Sequence, residues 1–156
     1  MRCFLLLCAL LGWSACGDAD DNPFSNGEVI PPVVLDTAAL DPAGLAGLHA
    51  ALFRPTCANS GCHDGTFEPD YRTIYSTYNT LIEQPVIKND PQNSFTYRVV
   101  PGDVAASQLV ARLEYDIDGN SGVMPLALEP DSNYPTEKAA LIEHVKTWIR
   151  NGAQPD

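Results

Sequence analysis

Two cysteines and a histidine lie close together in this chain, at Cys57, Cys62 and His63. This combination matches the groups needed for covalent haem attachment, because each thiol adds to one haem vinyl group and the adjacent imidazole binds the iron. The usual motif has two residues between the cysteines, whereas four separate them here. The stretch therefore predicts one covalently bound haem c, held through a variant of the motif with a longer gap.

A single methionine besides the initiator, Met124, offers a ligand for the other face of the iron. Haem c commonly binds a histidine on one face and a methionine sulfur on the other. Met124 precedes Pro125, which restricts the backbone beside it. The alternative is a methionine that only fills the core. Because the chain offers few other ligands, we expect His63 and Met124 to be the two axial ligands.

Four segments form a set whose order and spacing are more specific than any one of them. They are Leu52–Gly65, Val99–Asp103 with Ser107–Leu109, Val123–Pro125 and Trp148–Ala153. The set resembles the small c-type cytochrome domains known as planctomycete-type cytochrome c, and it spans about 44 to 153. The resemblance implies an α-helical haem domain that transfers electrons. One local difference is Leu126, which stands where the family often has a second proline.

Residues 1–15 predict a secretion signal, since Arg2 precedes an apolar run that ends in small residues. The run is too short for a convincing membrane-spanning helix. Cys16 follows two small residues directly, as in bacterial lipoproteins whose mature N-terminal cysteine is lipidated. Trp13 is unusual at its position, where an aliphatic residue is expected, and plain cleavage is the alternative. We expect lipidation at Cys16.

The chain is predicted to have three parts: the signal over 1–15, a lipidated tether over 16–40 and one haem domain over 41–156. The tether is acidic, lacks a hydrophobic period, and contains Pro31 and Pro32, which favour an extended backbone. The sequence shows no internal repeat and no second domain. These features predict an exported protein, anchored by lipid on the periplasmic side of a bacterial membrane.

Two cysteines remain for the domain, because Cys3 and Cys8 leave with the signal and Cys16 takes the lipid. In an exported protein the rival to haem is a disulfide between Cys57 and Cys62. Such a disulfide closes a small loop, so its stabilisation is modest, and it gives no reason for the adjacent histidine. We prefer haem, and keep a haem-free, disulfide-stapled surface lipoprotein with an interaction role as an alternative.

Two metal sites other than haem iron are weaker alternatives. Zinc would need His49 and His144, which stand at no recognisable spacing from the thiols. Asp116, Asp118 and Asn120 alternate as in a calcium loop, but the sixth position is not glycine and the twelfth is not glutamate. We therefore expect a plain polar turn there.

Periodic apolar positions predict an all-α, cytochrome c-like fold of about four helices around the haem, with no β-sheet. The predicted helices span about 41–54, 70–82, 103–113 and 136–150. Asp41 and Pro42 suit the start of the first helix, and Pro55 its end. The fourth helix is expected to pack against the first. A long loop over 116–134 separates the last two helices and carries the methionine.

Each of the last three predicted helices has an apolar face. The second helix carries Tyr71, Ile74, Tyr75, Tyr78 and Ile82; the third carries Leu109, Val110 and Leu113; the fourth carries Leu141, Ile142, Val145, Trp148 and Ile149. Asn151 and Gly152 suit the end of the fourth helix.

The chain is acidic, with a formal net charge of −11 that becomes −12 once Arg2 leaves with the signal. Such a surface repels nucleic acid and anionic lipid headgroups, so we expect no nucleic-acid partner. A redox partner is expected to present a basic docking surface. Solubility alone is the simpler explanation of the charge.

These features predict a one-electron carrier rather than an enzyme, docking with a larger redox protein in the membrane or periplasm. With both axial positions filled, the iron has no free site for a substrate. If Met124 does not bind, an open-site haem sensor or a peroxidase-like enzyme is the alternative. No Ser/His/Asp set, phosphate-binding loop or pair of carboxylates stands out to support a hydrolase.

Overall fold

The computed structural model describes residues 39–155. Within this range the chain is helical and contains no β-strand, which confirms the predicted helical class. The elements in chain order are α1 (Leu45–Leu48), a π-helical segment (His49–Cys57), α2 (Ile74–Leu81), α3 (Gln108–Glu114) and α4 (Tyr134–Arg150). None of these helices is long and apolar enough to cross a membrane. The predicted signal, the predicted lipidation site at Cys16 and nearly all of the predicted tether lie outside the described residues.

The first helix, α1, begins later than predicted, because Asp41 belongs to the preceding turn. The Asp41 carboxylate accepts a hydrogen bond from the Ala43 amide (2.9 Å), and its carbonyl accepts one from the Gly44 amide (2.9 Å). Gly44 then precedes the helix with an extended backbone. From Leu48 the helix continues directly into the π-helical segment.

The predicted end of the first helix at Pro55 is wrong, because the helical backbone continues as a π-helix to Cys57. Proline lacks an amide hydrogen, so Pro55 donates no helical bond. The wider turn is visible at the end of the segment, where the Ala58 amide donates to the Phe53 carbonyl (3.0 Å). Turns of this kind are often found at functional sites. Cys57 is therefore held at the end of a helical segment rather than in a free loop.

The second helix, α2, begins later than predicted because Thr73 caps it. The Ser76 amide donates to Thr73 Oγ1 (3.0 Å), and the Thr73 amide donates to Ser76 Oγ (3.1 Å). This reciprocal capping box satisfies two backbone donors at the helix start. Tyr71 consequently lies before the helix, not within it.

The apolar face predicted for α2 is only partly correct. Tyr78 packs against the main hydrophobic core, but Tyr75 is 80% exposed and Ile74 is 39% exposed. Thr77 is fully buried instead, and its Oγ1 donates to the Thr73 carbonyl (2.8 Å). A hydroxyl that bonds within its own helix can face a core, which hydropathy does not reveal.

The third helix, α3, begins at Gln108 rather than near Asp103, because Asp103 forms a turn. Its carboxylate accepts a hydrogen bond from the Ala106 amide (3.0 Å), and its carbonyl accepts one from Ser107 Oγ (2.7 Å). The apolar residues predicted for this helix are buried: Leu109, Val110 and Leu113.

The fourth helix, α4, is close to its prediction. It has Pro135 in its first turn and ends at Arg150, followed by Asn151 and by Gly152 with φ 91°. All its predicted apolar residues are buried: Leu141, Ile142, Val145, Trp148 and Ile149. Helix α4 contacts α1, the π-helical segment and α3, so the predicted packing of the last helix on the first is confirmed.

An extended connection joins α2 to α3 and brings a cationic side chain into the domain. Isolated β-bridges pair Ile82 with Val99 and Pro85 with Tyr97. Between these bridge positions lies Arg98, whose side chain is buried. The connection thereby places a guanidinium group inside a chain that is otherwise strongly acidic.

Replacing Gly47 with alanine should destabilise the domain, because a Cβ there would lie 2.0 Å from the carbonyl oxygen of Asp41. We expect a loss of about 3 kcal/mol in the free energy of unfolding, measured by urea titration with circular dichroism. Gly102→Ala is the control, since a Cβ at Gly102 meets nothing within 4 Å. Only its left-handed backbone resists that change, at about 1 kcal/mol. Equal losses for the two variants would contradict the close approach of α1 to the Asp41 turn.

Candidate functional site

A cavity of about 520 Å³ opens between the cysteine motif, α3 and the segment after α3. All four residues predicted to hold the haem line it: Cys57, Cys62, His63 and Met124. Most of the other wall residues are apolar, including Phe53, Leu81, Leu109, Leu113, Pro125 and Leu126. Its size falls in the range of roughly 300–1,000 Å³ that is usual for ligand sites. The fold thus brings the methionine to the same space as the motif.

The ring of His63 is oriented by a hydrogen bond between Nδ1 and the backbone carbonyl of Pro69 (2.9 Å). Because a carbonyl only accepts, Nδ1 carries the hydrogen and Nε2 keeps its lone pair. Burial lowers the pKa of His63; hydrogen bonds to the backbone of Pro69 and Phe67 oppose this, and the charges of Arg98 and Arg112 lower the pKa further. The imidazole is therefore neutral at neutral pH, which is the form that binds a metal ion.

Backbone hydrogen bonds fold the motif back on itself around His63. The His63 amide donates to the Cys57 carbonyl (3.2 Å), and the Tyr71 amide donates to the His63 carbonyl (2.9 Å). Between the cysteines, the Cys62 amide donates to the Asn59 carbonyl (2.9 Å). The longer gap is therefore taken up by a hydrogen-bonded turn that keeps both cysteines on the same cavity.

The aromatic ring of Tyr71 forms a wall of the cavity, a position that the sequence did not predict. It stacks on Phe53, with ring centroids 4.9 Å apart and planes 4° apart, and it meets the His63 ring edge-on at 5.1 Å. Its side chain is buried, and burial raises the pKa of the phenol well above its usual value. The ring of His63 is thus supported by packing as well as by its hydrogen bond.

Both cysteines of the motif are free thiols and are half-buried. Burial, with a smaller contribution from Cys62, raises the pKa of Cys57 to about 12. His49 directs Nε2 to the Tyr71 carbonyl (3.1 Å), and residues 39–155 contain no group of three or more His, Cys, Asp or Glu side chains placed for one metal ion. The hydrogen bond therefore fixes the orientation of the His49 ring.

The sulfur-bearing residue Met124 lies in a segment, 115–133, that contains neither helix nor strand. Its amide donates to the Arg112 carbonyl (2.8 Å), which ties the segment to the last turns of α3. Its side chain packs against the main hydrophobic core. The thioether is therefore held at the cavity wall by a backbone bond and by packing.

Cationic side chains in the cavity wall were not predicted from the sequence: Lys88, Arg98 and Arg112. Arg98 donates from Nη2 to Glu68 Oε2 (2.7 Å) and from Nη1 to the Thr80 carbonyl (2.7 Å). Among the residues that line the cavity in the described part of the chain, Glu68 is the only acid. The cavity thus has an excess of positive charge, although the chain is acidic. The sequence does contain one indication of this for Arg112. It follows Leu109 by three residues and so lies on the same face of α3.

The segment over 116–121 forms a polar turn around Asp118. The Asp118 carboxylate accepts hydrogen bonds from the Asn120 amide (3.0 Å), the Ser121 amide (2.7 Å) and Ser121 Oγ (2.6 Å). These bonds, those from Ser121 above all, lower the pKa of Asp118. The carboxylate is used within the turn itself, which is the geometry of the predicted polar turn.

Comparisons with models of protein families, with curated proteins and with solved structures found no match. The functional interpretation therefore depends on the sequence motif and on the geometry of the cavity. The resemblance to planctomycete-type cytochrome c stays a prediction on the same basis.

Replacing Tyr71 with alanine should destabilise the domain by about 4 kcal/mol, because it removes a buried ring that packs on both Phe53 and His63. Tyr75→Ala is the matched control, since the Tyr75 side chain is 80% exposed. The control should change the free energy of unfolding by less than about 0.5 kcal/mol. Chemical denaturation followed by tryptophan fluorescence measures both. A loss for Tyr71→Ala no larger than that of the control would show that this ring does not support the site.

Proposed function

We propose that the protein is a c-type cytochrome that carries one electron at a time on a single covalently attached haem. The observation that carries this proposal is the meeting of Cys57, Cys62, His63 and Met124 in one cavity. The residue types are those of a haem c site, and their order along the chain resembles that of planctomycete-type cytochrome c.

The walls of the cavity match the chemistry of a haem, in addition to supplying its ligands. The apolar wall suits the faces of a porphyrin, and the cationic groups suit its carboxylates. Three of the apolar residues that line the cavity have largely exposed side chains: Phe67 at 62%, Ile87 at 70% and Leu126 at 64%. Large apolar side chains gathered at the mouth of a cavity are typical of a binding site.

Each ligating residue has its own role in the proposal. Cys57 and Cys62 form the thioether bonds, which prevent loss of the cofactor in an open compartment. His63 binds the iron through Nε2, since Nδ1 donates to Pro69. Met124 would supply its sulfur as the second protein ligand of the iron. When bound, the haem supplies an iron that changes reversibly between the ferrous and ferric states.

The surroundings of these ligands favour electron transfer over catalysis. With His63 and Met124 on the two faces, no position is open to a substrate molecule. Leu109 and Leu113 line the cavity and exclude water from its wall. Methionine ligation and nearby cations both stabilise the reduced state, so a comparatively high potential is expected.

The proposal extends to the cellular context through the part of the chain that precedes the domain. A lipid on Cys16 and the acidic tether over 16–40 would hold the haem domain near the periplasmic side of a bacterial membrane. The negative surface of the domain suits a redox partner with a basic docking surface, in the membrane or the periplasm.

The Met124→Ala variant should lose the weak long-wavelength absorption band that ferric haem shows when a methionine sulfur binds the iron. Its reduction potential should also fall, because sulfur ligation favours the reduced state. Leu128→Ala is the matched control, since Leu128 lies in the same segment, has an exposed side chain and does not line the cavity. Oxidised and reduced optical spectra of protein matured with haem-attachment machinery measure both variants, and the control should keep the band.

Other spectra would decide between the proposal and its rivals. A band that persists in Met124→Ala contradicts the axial assignment. A high-spin spectrum of the unsubstituted protein would favour the open-site sensor or the peroxidase-like enzyme. A protein without any haem absorbance would favour the disulfide-stapled lipoprotein.

A further inference from the structure

The guanidinium group of Arg112 is incompletely satisfied. Its Nη1 is buried and has no hydrogen-bond partner within residues 39–155. A buried cationic nitrogen without a partner is unfavourable, because it has lost its water. Arg98 on the same cavity makes a useful comparison, since its two terminal nitrogens bond to Glu68 and to the Thr80 carbonyl. Of the two guanidinium groups, Arg112 is therefore the one able to receive a new acceptor.

The charged and titratable groups that share the cavity with Arg112 come from several parts of the fold. The charged ones are Glu68 from the segment after the π-helix, and Lys88 and Arg98 from the connection to α3; the titratable but neutral ones are Cys57, Cys62, His63 and Tyr71. Glu68 is committed to Arg98 at 2.7 Å, and its side chain is 60% exposed. Arg98 and Arg112 both line the cavity that His63, the proposed axial ligand, also lines.

The chemistry that satisfies such a site is a carboxylate. The planar guanidinium group matches a carboxylate with two parallel hydrogen bonds, and it holds the pair more rigidly than an ammonium group. An excess of cations inside an acidic protein also favours an anionic ligand over a neutral one. A haem offers two carboxylates, its propionates, on one edge of an otherwise apolar ring.

We propose that Arg112 binds a propionate of the haem and so positions the cofactor and raises its potential. The identity of the ligand rests on the proposed function, whereas the carboxylate-binding role of Arg112 rests on its buried nitrogen and on the charge of the cavity. The Arg112 carbonyl also accepts the Met124 amide (2.8 Å). One residue therefore joins the propionate to the backbone of the segment that carries the axial methionine.

The test is a spectroelectrochemical titration of the haem-loaded protein and of Arg112→Gln. Loss of the guanidinium charge leaves the propionate uncompensated, which disfavours the reduced state. We expect the equilibrium constant for one-electron reduction at neutral pH to fall by up to about tenfold, or ~59 mV. Arg54→Gln is the matched control, because it removes the same charge from an exposed side chain that does not line the cavity. The control should change the constant by less than about twofold.

The dependence of the reduction potential on pH distinguishes two effects of Arg112→Gln. One is the loss of a contact to a propionate, and the other is the loss of one positive charge near the haem. A propionate bound to Arg112 stays ionised, so between about pH 5.5 and about pH 7.5 the potential of the unsubstituted protein should vary less with pH than that of Arg112→Gln. In Arg112→Gln the buried carboxylate has a raised pKa. Its protonation at lower pH stabilises the reduced state, so the potential should rise as the pH falls. Arg112→Lys keeps the charge and should restore most of the potential.

Each outcome bears on the inference. A flat profile in Arg112→Gln, or a shift no larger than that of Arg54→Gln, overturns it while leaving the cytochrome proposal intact. An Arg112→Lys variant whose potential stays as low as that of Arg112→Gln also overturns it, because the restored charge would then have no carboxylate to pair with. If the unsubstituted protein takes up no covalent haem, the proposed function itself fails and this inference fails with it.

Discussion

The hydrogen bond between His63 Nδ1 and the Pro69 carbonyl is the interaction on which the site depends. It selects one tautomer, so that Nε2 is the nitrogen with a free lone pair. Tyr71 reinforces it, because its amide bonds to the His63 carbonyl and its ring contacts the His63 ring. The chain from Cys57 to Tyr71 is thereby a closed unit in which the thiols and the imidazole have fixed positions. A histidine in a free loop could present either nitrogen.

The hydrophobic core is built around the cavity and does not fill it. The π-helical segment ends at the cavity with Cys57, and α3 lines it with Leu109 and Leu113. Helix α4 packs on α1, the π-helical segment and α3, and so supports the other elements. An apolar space of this size costs stability when nothing occupies it, and a ligand that binds only the folded state adds to stability. If the cavity binds haem as proposed, its uptake should therefore be coupled to folding.

The sequence predicted four of the residues that line the cavity, because the motif depends on local residue order. Helix α4 was also predictable, since its apolar period is long and uninterrupted. The starts of the other helices were not, because Asp41, Thr73 and Asp103 bond within turns that a periodicity argument counts as helix. The helix end predicted at Pro55 was too early, since the helical backbone continues past Pro55 as a π-helix. Boundaries of this kind depend on single hydrogen bonds that composition does not reveal.

The cations of the cavity show a second limit of sequence analysis. Hydropathy assigns Arg98 and Arg112 to the surface, because charged side chains are seldom buried without a partner. The partner of Arg98 is Glu68, which is far from it along the chain, so only the tertiary fold reveals the pair. Arg112 differs from Arg98, because its buried Nη1 has no protein acceptor within the described residues. This unsatisfied nitrogen is likewise visible only in the tertiary structure.

The central claim is that the cavity holds a haem bound covalently to both cysteines. Its most direct test is the intact mass of the mature protein under denaturing conditions, after expression with haem-attachment machinery. We predict the mass of the mature polypeptide, with any lipid on Cys16, plus one haem, and the loss of the haem mass in the Cys57→Ala/Cys62→Ala double variant. A mass equal to the polypeptide alone, or to the polypeptide less the hydrogens lost on forming a disulfide, would contradict it.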